Sequence, residues 1–125
     1  MQGTFTIQGR LISLNELIGA ARNNKFGSAS QKKSQMQIVT DSILADETFR
    51  KLRFENKVIV FIDCYEKDER RDFDGITSAA AKIILDALVN YGTLIDDSRK
   101  YVSLATYQVF TDKKNPRIEV TLKEM

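Results

Sequence analysis

Between Arg70 and Val102 the chain reads RRDFDGITSAAAKIILDALVNYGTLIDDSRKYV, and five aspartates recur in it where folding alone gains little. Asp72 and Asp74 flank Phe73, Asp86 interrupts an apolar helical pattern, and Asp96 and Asp97 follow it. Carboxylates gathered in this way suit a hard, oxygen-liganded cation such as Mg²⁺ or Mn²⁺. The chain has no histidine, which removes the usual general base and the commonest transition-metal ligand. Its one cysteine, Cys64, leaves no thiolate set for zinc. Each carboxylate also has a plainer reading. Asp72-Phe73-Asp74 fits a solvated turn, Asp86 an i, i+4 partner of Lys82, and Asp96-Asp97-Ser98 an ordinary loop.

A helix has to position these residues. Ile76, Ala80, Ile83, Ile84, Ala87, Leu88 and Tyr91 recur at the spacing of one helical face, and Gly92 stops the pattern. Ser78, Lys82 and Asp86 then form a polar stripe, so a lysine and a carboxylate stand side by side. Asp72 and Asp74 fall at the N-terminus, where the helix dipole favours anions. Ala81, Leu85 and Val89 make a second apolar stripe, which is either buried between layers or meets a second subunit.

Elsewhere the patterning is of mixed type. Thr4 to Gly9 alternates as a half-buried strand, and Ser13 with Glu16 has capping-box spacing for a helix running to about Arg22. The polar run NNKFGSAS, Asn23 to Ser30, reads as a mobile loop, and Lys32 to Phe49 as a second, less regular helix. Val58 to Tyr65 is apolar on both faces and predicts a central strand. Tyr101 to Phe110 and Arg117 to Leu122 alternate as strands around the turn-like DKKNP and predict an antiparallel hairpin. The fold expected is one α+β domain over residues 1–125: a mixed sheet of about four strands with about three helices, in the order β-α-α-β-α-β-β.

At 125 residues, with 42% hydrophobic and 29% charged, the composition is that of an ordinary globular domain. The absence of a basic-apolar leader and of any membrane-length apolar run predicts a soluble protein with no membrane partner, and the lone cysteine a reducing, cytoplasmic setting. Nineteen Lys and Arg against seventeen Asp and Glu give a net charge of only +2. With the aspartate cluster set aside, however, the remaining surface is basic. Arg22, Lys25, Lys32, Lys33, Arg70 and Arg71 are among the residues available to phosphates, with Asn15 in the first helical turn as a further candidate contact, although a charge of +2 does not by itself prove a nucleic-acid partner. DFDGIT also looks like the aspartyl nucleophile motif of haloacid-dehalogenase-type phosphatases. That motif follows a buried strand directly, whereas the charged run EKDERR precedes this one.

Three motifs together resemble the RusA family of Holliday junction resolvases, found in phages and prophages. They are RRDFD at Arg70 to Asp74, KIILDAL at Lys82 to Leu88, and IDDSRKYV, in which Asp97 lies eleven residues after Asp86. SLNE at Ser13 to Glu16 and the closing KKNPRIEVTL are similar to members from Gram-positive hosts. The resemblance implies a homodimeric endonuclease that binds four-way DNA junctions and nicks two strands symmetrically with Mg²⁺, Mn²⁺ being possible. It implies Asp72, Asp74 and Asp97 as catalytic metal ligands, Asp86 beside them as a further ligand, and Lys82 as the catalytic lysine. Gly75 stands where the family has Asn, and Asp74 to Lys82 is four residues longer than in the best-known branch, close to one helical turn. The rival class is a DNA-binding module whose aspartates only shape loops.

Overall fold

The computed structural model describes the backbone of residues 1–23 and 27–125 and the side chains of all but residues 20–28. Among these the order is β1 (Gln2–Gln8), α1 (Leu14–Asn23), α2 (Gly27–Ala45), a 3₁₀ turn (Phe49–Lys51), β2 (Val58–Glu66), α3 (Phe73–Tyr91), β3 (Val102–Thr111) and β4 (Arg117–Glu124). The expected α+β architecture, four strands and three helices in that sequence order, is the one observed.

The four strands form one mixed sheet in the order β1-β4-β2-β3. Phe5, Ile7, Val58, Val60, Ile62, Cys64, Ile118, Val120 and Leu122 share a face through their registers, and all are buried. The helices lie on that face, with α2 over β1, α3 over β2 and β3, and α1 against both other helices. The opposite face is polar on β1 and β4 and carries Ile59, Phe61 and Tyr65 on β2, which are only half-buried. The central strand is therefore correctly placed, but one of its apolar faces is not fully covered.

The antiparallel hairpin is corrected. β3 pairs with β2 and runs parallel to it, while β4 lies on the far side of β2, antiparallel to both β2 and β1. A strand-helix-strand unit such as β2-α3-β3 naturally returns its second strand parallel to the first. The five residues Asp112 to Pro116 are long enough to cross two strand spacings of ~4.8 Å over the end of β2. The Asp112 amide marks that crossing by donating to the Glu66 carbonyl at 2.7 Å.

Helix boundaries moved for local reasons. The capping box is present: the Glu16 amide donates to Ser13 Oγ at 3.3 Å, and the Ser13 amide donates to Glu16 Oε1 at 3.4 Å. Of the expected loop Asn23 to Ser30, residues 24–26, with Lys25, lie outside the described residues, and Gly27 to Ser30 belong to α2. The same helix ends at Ala45 rather than Phe49, because Asp46 Oδ1 accepts from the Thr48 and Phe49 amides and turns the chain into the 3₁₀ turn. Of the second apolar stripe of α3, Leu85 and Val89 pack against the core, and Val89 stands beside Met36 of α2. All three residues of the stripe, Ala81 included, stay half-buried.

Candidate metal and nucleic-acid site

The predicted carboxylates separate into two groups at opposite ends of α3. Asp72 is the N-cap: it is extended, and its Oδ2 accepts from the Gly75 amide at 3.1 Å. A Cβ on residue 75 would lie 2.8 Å from Asp72 Oδ1, so the close cap suits glycine at this position. Asp74 is exposed in the first turn. The continuous helix then puts about 18 Å of axis between Asp74 and Asp86 at the usual rise. The expected convergence of Asp72, Asp74, Asp86 and Asp97 around one point therefore does not occur within one chain. An uninterrupted helix cannot bring its two ends together.

The second group does come together. Gly92, at φ 100°, takes the left-handed conformation that glycine tolerates, and the amides of Gly92, Thr93 and Leu94 all donate to the Leu88 carbonyl. This closure reverses the chain, and a hydrogen bond from the Phe54 amide to the Thr93 carbonyl, 2.9 Å, pins it to the segment before β2. Asp96 and Asp97 are thereby brought to the flank of α3, where they line an open pocket with Asp86, Asn90, Val89 and Met36. Asp86 is only partly exposed and receives two lysines, Lys32 from α2 and Lys82 from one turn earlier on α3, the latter at 3.5 Å. Lys82 thus reaches toward Asp86 and not toward the Asp72–Asp74 end.

The polar lining of the pocket is Asp86, Asn90, Asp96 and Asp97, with Met36 and Val89 as its apolar part. Among the described residues no three carboxylates stand close enough to enclose an ion by themselves. Oxygen ligands are the type Mg²⁺ takes, commonly one or two carboxylates with water and substrate phosphate, and here Asp86 already faces the two lysine ammonium groups. Asn90 was not anticipated, although it lies four residues after Asp86 on the same face, a spacing that could have revealed it. The Lys32–Asp86 pair joins two helices far apart in sequence and left no local signal.

The basic residues divide similarly. Arg70 is fully in solvent, with only a 3.5 Å contact to Asp68, and Lys33 and Asn15 are exposed. Arg71 is corrected: its Nε and Nη2 donate to the two Glu66 oxygens at 2.8 Å each, and Nη1 donates to the Leu11 carbonyl at 2.8 Å. Burial alone would ease loss of its proton, but the Glu66 hydrogen bonds and the charges of Glu66 and Glu16 outweigh that and raise its pKa further. With Nε, Nη1 and Nη2 each bonded to Glu66 or Leu11, Arg71 braces the β2–α3 junction, whereas Arg70 stands in solvent. Lys25 and the side chain of Arg22 lie outside the described residues. The phosphatase motif lacks its geometry, since β2 ends at Glu66 and Asp72 is occupied as a helix cap.

No family model matches the chain, and no curated protein is significantly similar to it. Among the described residues no helix is long and apolar enough to cross a membrane.

Proposed function

We propose that this protein is a Mg²⁺-dependent endodeoxyribonuclease of RusA type that acts as a homodimer on four-way DNA junctions. One observation carries the reading: Asp86, Asp96 and Asp97, from a helix and the loop behind it, line one open pocket, and Asp86 is ion-paired with Lys32 and Lys82. Asp86 and Asp97 would hold the cation, with Asn90 and Asp96 available to its waters. Mg²⁺ bound there would supply charge neutralisation for an incoming phosphodiester and a more acidic water. The chain's own part is electrostatic. Lys82, 64% exposed at its side chain, is free to leave Asp86 for a phosphate oxygen, and Lys32 balances the carboxylate that remains.

Lys33 and Arg70 extend the basic surface available to the DNA backbone, whose affinity comes from displaced counterions. The N-terminal pair Asp72 and Asp74, implied as catalytic by the family motif, is proposed as a second carboxylate group. A buried, unpaired Cys64 suits a reducing compartment, so the proposed setting is the bacterial cytoplasm.

Incubation of the wild-type protein with a synthetic four-way junction, in Mg²⁺ and in chelator, tests the reading. Paired nicks that require the cation are expected. Tight junction binding with no nick under any divalent ion would leave the rival DNA-binding module standing instead.

A further inference from the structure

We infer that β3 is the site at which two copies of this chain join, edge to edge, in a single eight-stranded sheet. β3 is an edge strand: it pairs only with β2, and its other side has no strand beside it among the described residues. Ten residues long, VSLATYQVFT contains no charge, no proline and no glycine, and its pairing with β2 is regular from Ile59 onward. Edges that stay single are normally blunted by such devices. Its side chains tell the same story on both faces. Residues on the helix side of β2 and β4 are almost wholly buried, whereas Ala105, Tyr107 and Val109, on the same side of β3, are only half-buried. On the other side Leu104 is 51% exposed and Phe110 42%, the latter stacked on Tyr65 with ring centroids 5.0 Å apart.

The strand's own sequence identifies the occupant. An antiparallel pair related by a twofold axis normal to the sheet must place residues of like parity opposite one another, so that each face continues into its copy. Centred on Tyr107, that pairing sets Leu104 against the copy's Phe110, Ala105 against Val109, Thr106 against Gln108, and Tyr107 against itself. From Leu104 to Phe110 every apolar residue then meets an apolar one and the two polar residues of that stretch meet each other, on the correct faces; beyond it Ser103 faces Thr111, and Val102 falls opposite Asp112 just past the strand. Shifting the axis to Thr106 instead opposes Leu104 with Gln108 and Val109 with Ser103, although it sets Phe110 against Val102. Such cross-strand matches are the stabilising units of a sheet, and absence of charge means that self-pairing sets no like charges together. A second copy is thus complementary to this edge by construction. The inference names the surface for the homodimer proposed above, but it is read without DNA or metal, so either can fail alone.

The test is sedimentation of the full chain at about 10 μM, a concentration at which a contact of micromolar strength is populated. A dimer is expected for the wild type. Leu104→Lys and Phe110→Glu should each weaken it at least tenfold, with the circular dichroism unchanged because both side chains are already exposed. The double variant, which sets Lys against Glu twice across the axis, should restore the dimer. Should either fail to fold, Thr106→Lys with Gln108→Glu repeats the exchange at the next matched pair with the same expectations. A wild-type monomer, a dimer indifferent to the single changes, or a double variant that folds but stays monomeric would overturn the inference.

Discussion

Arg70 and Arg71 are neighbours of identical type, yet the structure gives them opposite work. Replacing Arg71 with Ala removes one partner of a pair whose other member, Glu66, is 6% exposed. The expected cost is roughly 3 kcal/mol of stability, the usual scale for a buried charge left unpaired. Arg70→Ala should leave the melting temperature within error and weaken only junction binding. Thermal melts of both variants check this. Asp72 allows a similar separation: Asp72→Ala should lose about 1 kcal/mol with its cap, whereas Asp72→Asn should not, since Asn caps a helix as well as Asp. Any loss of cleavage by Asp72→Asn therefore reports chemistry. The aspartates and Lys82 were legible as chemistry-bearing types, but their grouping was not. Motif spacing does not reveal that Asp97 folds back to Asp86 while Asp74 stays a helix length away.

Among the elements, α3 and β2 were read most completely, because each has a strong period and a clear stop. In β2, Cys64 is fully buried, and burial, reinforced by Glu66, pushes its thiol up to about 12. Native protein at pH 8 should therefore resist alkylation at Cys64 and react only on unfolding, which mass spectrometry after labelling with and without denaturant would detect. The capping box of α1 adds an acid-side dependence. Burial works to raise the Glu16 pKa, but the Ser13 hydrogen bonds and the charges of Arg10 and Arg71 outweigh it and leave it lowered. A carboxyl so depressed contributes stability above its unfolded value near 4.5 and loses it as pH falls through the folded value. Glu16→Gln should flatten the melting-temperature profile on that side. The hairpin error belongs at this scale as well: alternation in Tyr101 to Phe110 and Arg117 to Leu122 is equally consistent with parallel and antiparallel neighbours. The cue that decides was the helix between β2 and β3.

For the whole molecule, the strand order β1-β4-β2-β3 leaves β3 as a long uncharged edge, the helices packed on one side leave the other sheet face open, and the unbroken α3 holds the two carboxylate groups apart. That order depends on a five-residue crossing at the end of β2, whose length suits a hairpin equally well, and so composition and period could not select it. Junction affinity should fall steeply with salt, by about a thousandfold between 50 and 200 mM if six or more phosphates are neutralised across a dimer. A flat dependence in a filter-binding series would remove DNA as the partner. The central claim is that the pocket of Asp86 and Asp97 does the cutting. It is tested most directly by the rate at which excess protein nicks a preformed four-way junction in Mg²⁺, with wild type beside Asp97→Asn at a salt concentration where both bind. The account predicts a loss beyond the ~100-fold typical of supporting residues around a metal, with the melting temperature unchanged. A variant that cuts within a few-fold of wild type would contradict it.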